Sequence, residues 1–216
     1  MPVIRPRTLP NVLTLARVLL APAIFFLALV PTTSARLLAF ALFLLAALSD
    51  VWDGYLARKH GWITNFGKLV DPIADKLLLA ATFIPLYLLS HRPNHGGPLP
   101  FWGALPLWIL LLVFGREALI TALRGLAAHR GIVIPAGRAG KHKALSQNVF
   151  IGSALLWYAL QTAARTERWS GGLWDAWRRF HGAVVALALL AALGLTLYSM
   201  AVYLWKWRAL RREATG

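Results

Sequence analysis

The sequence predicts an all-α, polytopic membrane protein of six transmembrane helices, folded as a single domain over residues 1–216. Three observations lead there. The chain is 58% hydrophobic, with a mean hydropathy of +0.60, whereas soluble domains are nearly half apolar. Several apolar runs reach about 18 residues, the length that crosses hydrocarbon. The segments between them are rich in Gly, Pro and charge, the composition of turns and loops.

The first span is expected near residues 13–30. Arg5 and Arg7 precede it, as in a secretory leader, but Asn11, Thr14 and Arg17 make a poor leader core and five more apolar runs follow. PTTSAR separates it from a second span near 37–58, and RKHGWITNFGK leads into a third near 69–90. HRPNHGGPLP precedes a fourth near 104–124, AAHRGIVIPAGRAGKHK a fifth near 144–163, and ARTERWSGGLWDAWRR a sixth near 181–205. The chain has no cysteine, so it has no disulfide framework and no thiolate metal site. No internal repeat is seen. The ten tryptophans suit the belts that form at membrane–water interfaces.

Six spans put both termini on one side. With that side cytoplasmic, 15 of the 23 Lys and Arg residues fall on inner segments and six on outer ones, while Lys76 and Arg116 lie within spans. The positive-inside bias therefore places both termini in the cytoplasm of a multi-pass cell (inner) membrane protein. The outer loop 164–180, with four arginines, runs against the trend. The formal charge of +15 is spread over loops, which argues for contact with anionic lipid and against nucleic acid as a partner.

Four of the eight acidic residues fall within SDVWDGYLARKHGWITNFGKLVDPIADK, residues 49–76. Asp50 and Asp53 are three apart, and Asp71 and Asp75 four apart, spacings that put each pair on one helix face. On the expected topology all four sit at the inner ends of spans two and three. Carboxylates near hydrocarbon pair or hold a cation. Facing one another, four would repel unless something positive lay between them, and hard oxygen ligands suit magnesium, manganese or calcium. Gly54 and Ala57 remove bulk from one side of span two. Arg58 offers a bidentate donor suited to phosphate, and Thr64 a free hydroxyl. Together these describe a pyrophosphate site. A cation relay in a transporter is one alternative. Ordinary helix capping is another, with Asp71 just before Pro72 at a helix start.

The pattern D-x2-D-G-x2-A-R-x8-G-x3-D-x3-D is matched in full by Asp50, Asp53, Gly54, Ala57, Arg58, Gly67, Asp71 and Asp75. It resembles the signature of the CDP-alcohol phosphotransferases, a family with a six-helix membrane domain and its active site at the cytoplasmic side. The resemblance covers essentially the whole chain. It implies transfer of a phosphatidyl-type group from a CDP-alcohol to a second alcohol with release of CMP. It implies Mg2+ or Mn2+, two ions, held by Asp50, Asp53, Asp71 and Asp75, with Asp75 also the catalytic base. Asn11 and Thr14 of PNVLTLAR, with Gly54, Ala57, Arg58, Thr64 and Gly67, would contact the CDP-lipid. A homodimer is implied as well.

TNFGKLVDPIADK, GREALITALRG and GKHKALSQN resemble the phosphatidylglycerophosphate synthases of that family, which use CDP-diacylglycerol and sn-glycerol 3-phosphate. Asn65 and Ala144 depart from residues common in that group. Other acceptors within the same chemistry are inositol phosphate, or phosphatidylglycerol in a cardiolipin synthase. The basic residues give an independent argument for a phosphate-bearing acceptor. Arg116 lies inside an apolar span, where arginine usually faces a polar cavity. Glu117 stands beside it. Arg124, Arg138, Lys141 and Lys143 flank the inner ends of spans four and five, so these five cations are the candidate acceptor-phosphate ligands. A positive-inside role alone would also account for Arg138, Lys141 and Lys143. His91, His95 and His142 read as loop residues.

Overall fold

The computed structural model describes residues 9–60, 65–129 and 138–213, with side chains described except at 9–10, 51, 53–58, 60, 65–69, 138–139 and 209–213. Six helices run through it: α1 Leu9–Leu29, α2 Thr33–His60, α3 Asn65–Ser90, α4 Leu107–His129, α5 Arg138–Thr166 and α6 Gly172–Glu213. Their number and order match the six expected apolar segments. No β-strand forms among the described residues; an isolated bridge joins Leu99 and Gly103.

Four helices contain stretches long and apolar enough to cross a membrane: Asn11–Leu29, Thr33–Asp50, Val70–Ser90 and Gly172–Arg208. α4 and α5 are set apart by the polar and charged residues they carry within their length. α4 carries Arg116, Glu117 and Arg124, and α5 carries Lys141, Lys143, Gln147, Asn148 and Gln161. The physical reason lies in the packing, because several of these polar residues line an internal cavity where the chain itself supplies their surroundings.

Two boundaries differ from the sequence reading. Asp71 does not start a helix: α3 begins at Asn65 and carries Pro72 within it. A proline near the first turns forfeits little, because the early N–H groups have few helical partners. The outer loop 164–180 is also much shorter than expected. α5 continues to Thr166 and α6 opens at Gly172, so only 167–171 connect them. Gly171, at φ +109, makes the turn, and Asp175 lies in the first turn of α6, where a carboxylate favours the helix dipole. Leu173, Trp177 and Phe180 then recur at helical spacing, all exposed.

α1 packs against both α2 and α3, while α2 leans on α5, α5 on α6, and α6 on α4. Lighter contacts bring α3 against α4 and α5. α1 is thus a wedge with α2 on one flank and α3 on the other. Small side chains permit such close approach: Ala21, Ala28, Ala39, Ala46, Ala74 and Ala81 are all buried on these three helices. The core centres on Phe43, Phe83, Leu86, Phe150 and Ile151. Phe83 meets Phe150 at 5.5 Å and Phe114 edge-on at 6.5 Å between ring centroids, separations that favour aromatic pairs.

One end of the bundle is closed by protein. Residues 91–106, between α3 and α4, fold over it. Leu105 N–H donates to Ser90 Oγ at 2.9 Å, Tyr158 Oη to the Gly97 carbonyl at 3.1 Å, and Arg165 Nη2 to the Gly96 carbonyl at 3.1 Å. Gly96 cannot be replaced without movement, since a Cβ there would lie 2.5 Å from the Leu89 carbonyl oxygen. Beneath this cover Arg36, 3% exposed, donates to Thr162 Oγ1 at 2.5 Å, to the Tyr158 carbonyl at 3.4 Å and to the His95 carbonyl.

Candidate active site

The opposite end is open, and it gathers the chemistry. α2 ends and α3 begins there, so the two aspartate pairs fall on the last turns of one helix and the early turns of the next. The wedge position of α1 decides what they meet. Thr14 and Arg17 are one turn apart on α1 and both are 1% exposed. Thr14 Oγ1 donates to Asp71 Oδ1 at 2.7 Å. Arg17 Nη1 donates to Asp50 Oδ1 at 2.5 Å and to Asp75 Oδ1 at 2.9 Å. One buried guanidinium nitrogen therefore joins a carboxylate of α2 to a carboxylate of α3. The carboxylates themselves are open, with side chains 44% exposed at Asp50 and 60% at Asp75.

A cavity of about 370 Å³ opens beside these aspartates. Asp50 and Asp75 form part of its wall, and Arg116, Arg124, Lys141 and Lys143 another. The structure thus brings two metal-motif aspartates and four of the five expected acceptor-phosphate residues around one space. A volume near the lower end of small-molecule pockets suits a polar head group. Asn148, Gln147 and Thr121 add neutral polar groups to the lining, and Phe43, Leu78, Ile120 and Ile151 an apolar one.

The cations are held in place from inside the protein. Glu117 Oε1 accepts from Arg116 Nη1 at 3.0 Å and from Lys143 Nζ. Arg116 and Lys143 are each 6% exposed. Buried charges of this kind are normally paired, and here one carboxylate serves two cations. On the other side Tyr203 of α6 stacks near both arginines, with ring centroids 5.6 Å from Arg116 Cζ and 5.2 Å from Arg124 Cζ, and its hydroxyl accepts from Arg124 Nη2.

The remaining expected residues are placed less fully. Asn11 lies on α1 one turn before Thr14, half-buried. Asp53, Gly54, Ala57 and Arg58 lie on α2, Gly67 on α3 and Arg138 at the start of α5, but their side chains are outside the described residues. Thr64 is outside them altogether. His142 is exposed on α5, and His91 and His95 lie at the closed end.

The donor set suits a hard divalent ion. Asp50, Asp71 and Asp75 supply carboxylate oxygens from two helices, and two of them converge on the positive nitrogen of Arg17; hard divalent ions take oxygen ligands of this kind. Among the described residues no three acidic or imidazole groups are near enough to form a complete ion site. Asp53, the fourth motif carboxylate, lies outside the described side chains.

Arg17, Glu117 and Tyr203 shape this site and carry no candidate role in the sequence reading. Arg17 could have been found there. It is three residues after Thr14, on the same helix face, and an arginine inside an apolar run needs a carboxylate partner. The four motif aspartates were on offer. Tyr203 gives no such signal: it is one aromatic residue among many in an apolar helix.

Residues 7–209 match the CDP-alcohol phosphatidyltransferase family, and the chain belongs to that family of enzymes. Its relatives carry more particular names. It is 40% identical over 156 residues to a probable phosphatidylglycerophosphate synthase of Mycobacterium tuberculosis, covering 70% of this chain and 68% of that one. It is 36% identical over 160 residues to the CDP-diacylglycerol–glycerol-3-phosphate 3-phosphatidyltransferase of Bacillus subtilis, covering 68% and 76%. An Arabidopsis thaliana enzyme of the same name, numbered 2, is 32% identical over 210 residues, covering 95% of this chain and 82% of the relative.

Proposed function

We propose that this chain transfers the phosphatidyl group of CDP-diacylglycerol to sn-glycerol 3-phosphate, giving phosphatidylglycerophosphate and CMP. One observation carries the choice of acceptor. The cavity wall facing Asp50 and Asp75 is built from Arg116, Arg124, Lys141 and Lys143, against the single carboxylate of Glu117. That surplus of positive charge suits a phosphate monoester and is wasted on an uncharged polyol. The names of the relatives point the same way.

In this reading Asp50, Asp53, Asp71 and Asp75 hold Mg2+ or Mn2+, two ions, which when bound neutralise the diphosphate and the charge that develops on the leaving group. Asn11, Thr14, Gly54, Ala57, Arg58, Thr64 and Gly67 contact the CDP part. The cation wall, joined by Arg138, grips the acceptor phosphate and aims its hydroxyl at the phosphorus that carries diacylglycerol. Asp75 takes the hydroxyl proton as the new oxygen–phosphorus bond forms. The bond from that phosphorus to the oxygen bridging to CMP breaks, and CMP departs with the electron pair. A carboxylate in reach matters because an alcohol is a poor nucleophile at neutral pH. The acyl chains stay in lipid while the head group enters the cavity. The setting we propose is a multi-pass cell membrane protein of six spans and one domain. Its open end and both termini face the cytoplasm, and the chain pairs as a homodimer.

The test is CMP release by the purified chain with CDP-diacylglycerol and Mg2+ or Mn2+, one acceptor at a time. Release driven by glycerol 3-phosphate and abolished by chelation is the expected result. Release with inositol phosphate or phosphatidylglycerol instead would overturn the acceptor and keep the aspartate chemistry. Metal-independent release would overturn the role given to the aspartates.

A further inference from the structure

We propose that Tyr203 is a positioning residue that sets the acceptor-phosphate cradle by holding the guanidinium groups of Arg116 and Arg124 to one ring. The proposal deepens the acceptor reading above and rests on it. Tyr203 lies on α6, far along the chain from the aspartate motif. It is 5% exposed, yet it lines the cavity. Both arginines approach its ring within the range in which cation–π attraction operates, at 5.6 Å and 5.2 Å. Its hydroxyl also takes a hydrogen bond from Arg124.

Two like charges drawn to one ring repel each other, and the arrangement needs compensation. Glu117 supplies part of it by pairing with Arg116 and Lys143. An anion in the cavity would supply the rest. Tyr203 therefore acts through the arginines. It fixes where their donors stand, so that a phosphate monoester meets a preformed pair and need not gather two mobile side chains.

The experiment uses the full chain with Tyr203→Leu and Tyr203→Phe, measuring steady-state CMP release while each substrate is varied in turn. Tyr203→Leu loses ring and hydroxyl, and the Michaelis constant for glycerol 3-phosphate is expected to rise about tenfold. The constant for CDP-diacylglycerol and kcat should stay near the wild-type values. Tyr203→Phe keeps the ring and is expected to recover most of that loss. The inhibition constant of inorganic phosphate, competing with glycerol 3-phosphate, should weaken in step. A Tyr203→Leu protein whose two Michaelis constants rise together, or in which neither moves, overturns the assignment. So does a Phe variant as impaired as Leu in acceptor binding with phosphate inhibition unchanged. A wild-type chain that releases no CMP with glycerol 3-phosphate overturns the acceptor reading, which separates the two failures.

Discussion

Arg17 and Arg36 are the two most deeply buried arginines among the described residues, one toward each end of the bundle, and their partners differ in kind. Arg36 sits under the 91–106 cover and gives its hydrogen bonds to neutral oxygens: a threonine hydroxyl and two backbone carbonyls. Among the described residues no carboxylate lies within ion-pair distance of it. Arg17 sits between α2 and α3 and gives its hydrogen bonds to two carboxylates, each open to the cavity. The first arrangement ties a loop to helix ends through neutral oxygens. The second joins groups that other cations can also engage. Burial alone does not separate a structural charge from a working one. The nature and exposure of the partners do.

The comparison can be broken from its open side first. Asp75→Asn keeps the side-chain shape and removes the proposed base. Turnover should fall by about a hundredfold to ten-thousandfold, the range for a positioned general base, while the folded protein still binds CDP-lipid. Near-normal turnover would place the base elsewhere. Arg17→Ala comes next. It leaves Asp50 and Asp75 without the cation that joins them, and turnover should fall about tenfold to a hundredfold through misplaced ligands. The magnesium concentration needed for half-maximal rate should change, Arg17→Lys should recover part of the loss, and the melting temperature should fall as well, because a large buried side chain is removed. The smallest effect on activity belongs to the closed side. Arg36→Met strands buried oxygens and should cost about 1–3 kcal/mol of stability, read as a lower melting temperature in detergent, with turnover per folded molecule unchanged. If Arg17→Ala lowered only stability and Arg36→Met lowered only turnover, the distinction would be reversed.

The same contrast explains what the sequence disclosed. The helix count and order were legible because each apolar run is bounded by Gly, Pro and charge. The aspartate motif was legible because eight residues recur at fixed local spacing. Helix periodicity converts that spacing directly into one face, as with Asp71 and Asp75 on α3. Arg17 reads in the sequence as an inner-side charge and as a break in a leader core, because its role depends on α1 lying between α2 and α3, a tertiary fact. The long start of α6 was hidden for another reason. RWSGGLWDAWRR reads as loop by its glycines and charges, yet from Gly172 onward Leu173, Trp177 and Phe180 keep helical spacing. Tyr203 was the least accessible, since nothing local marks one buried tyrosine off from its neighbours.

The uninterrupted length of α6 has one more consequence. Its 42 residues measure about 63 Å at 1.5 Å per residue, roughly twice the hydrocarbon thickness of a bilayer. Trp177 and Tyr203 stand on this one rod, separated by about 39 Å of helix axis, close to the bilayer's full depth with head groups. A helix of that length exceeds what crossing hydrocarbon requires, so Tyr203 and the exposed aromatic residues near Gly172 lie at widely separated levels of one element.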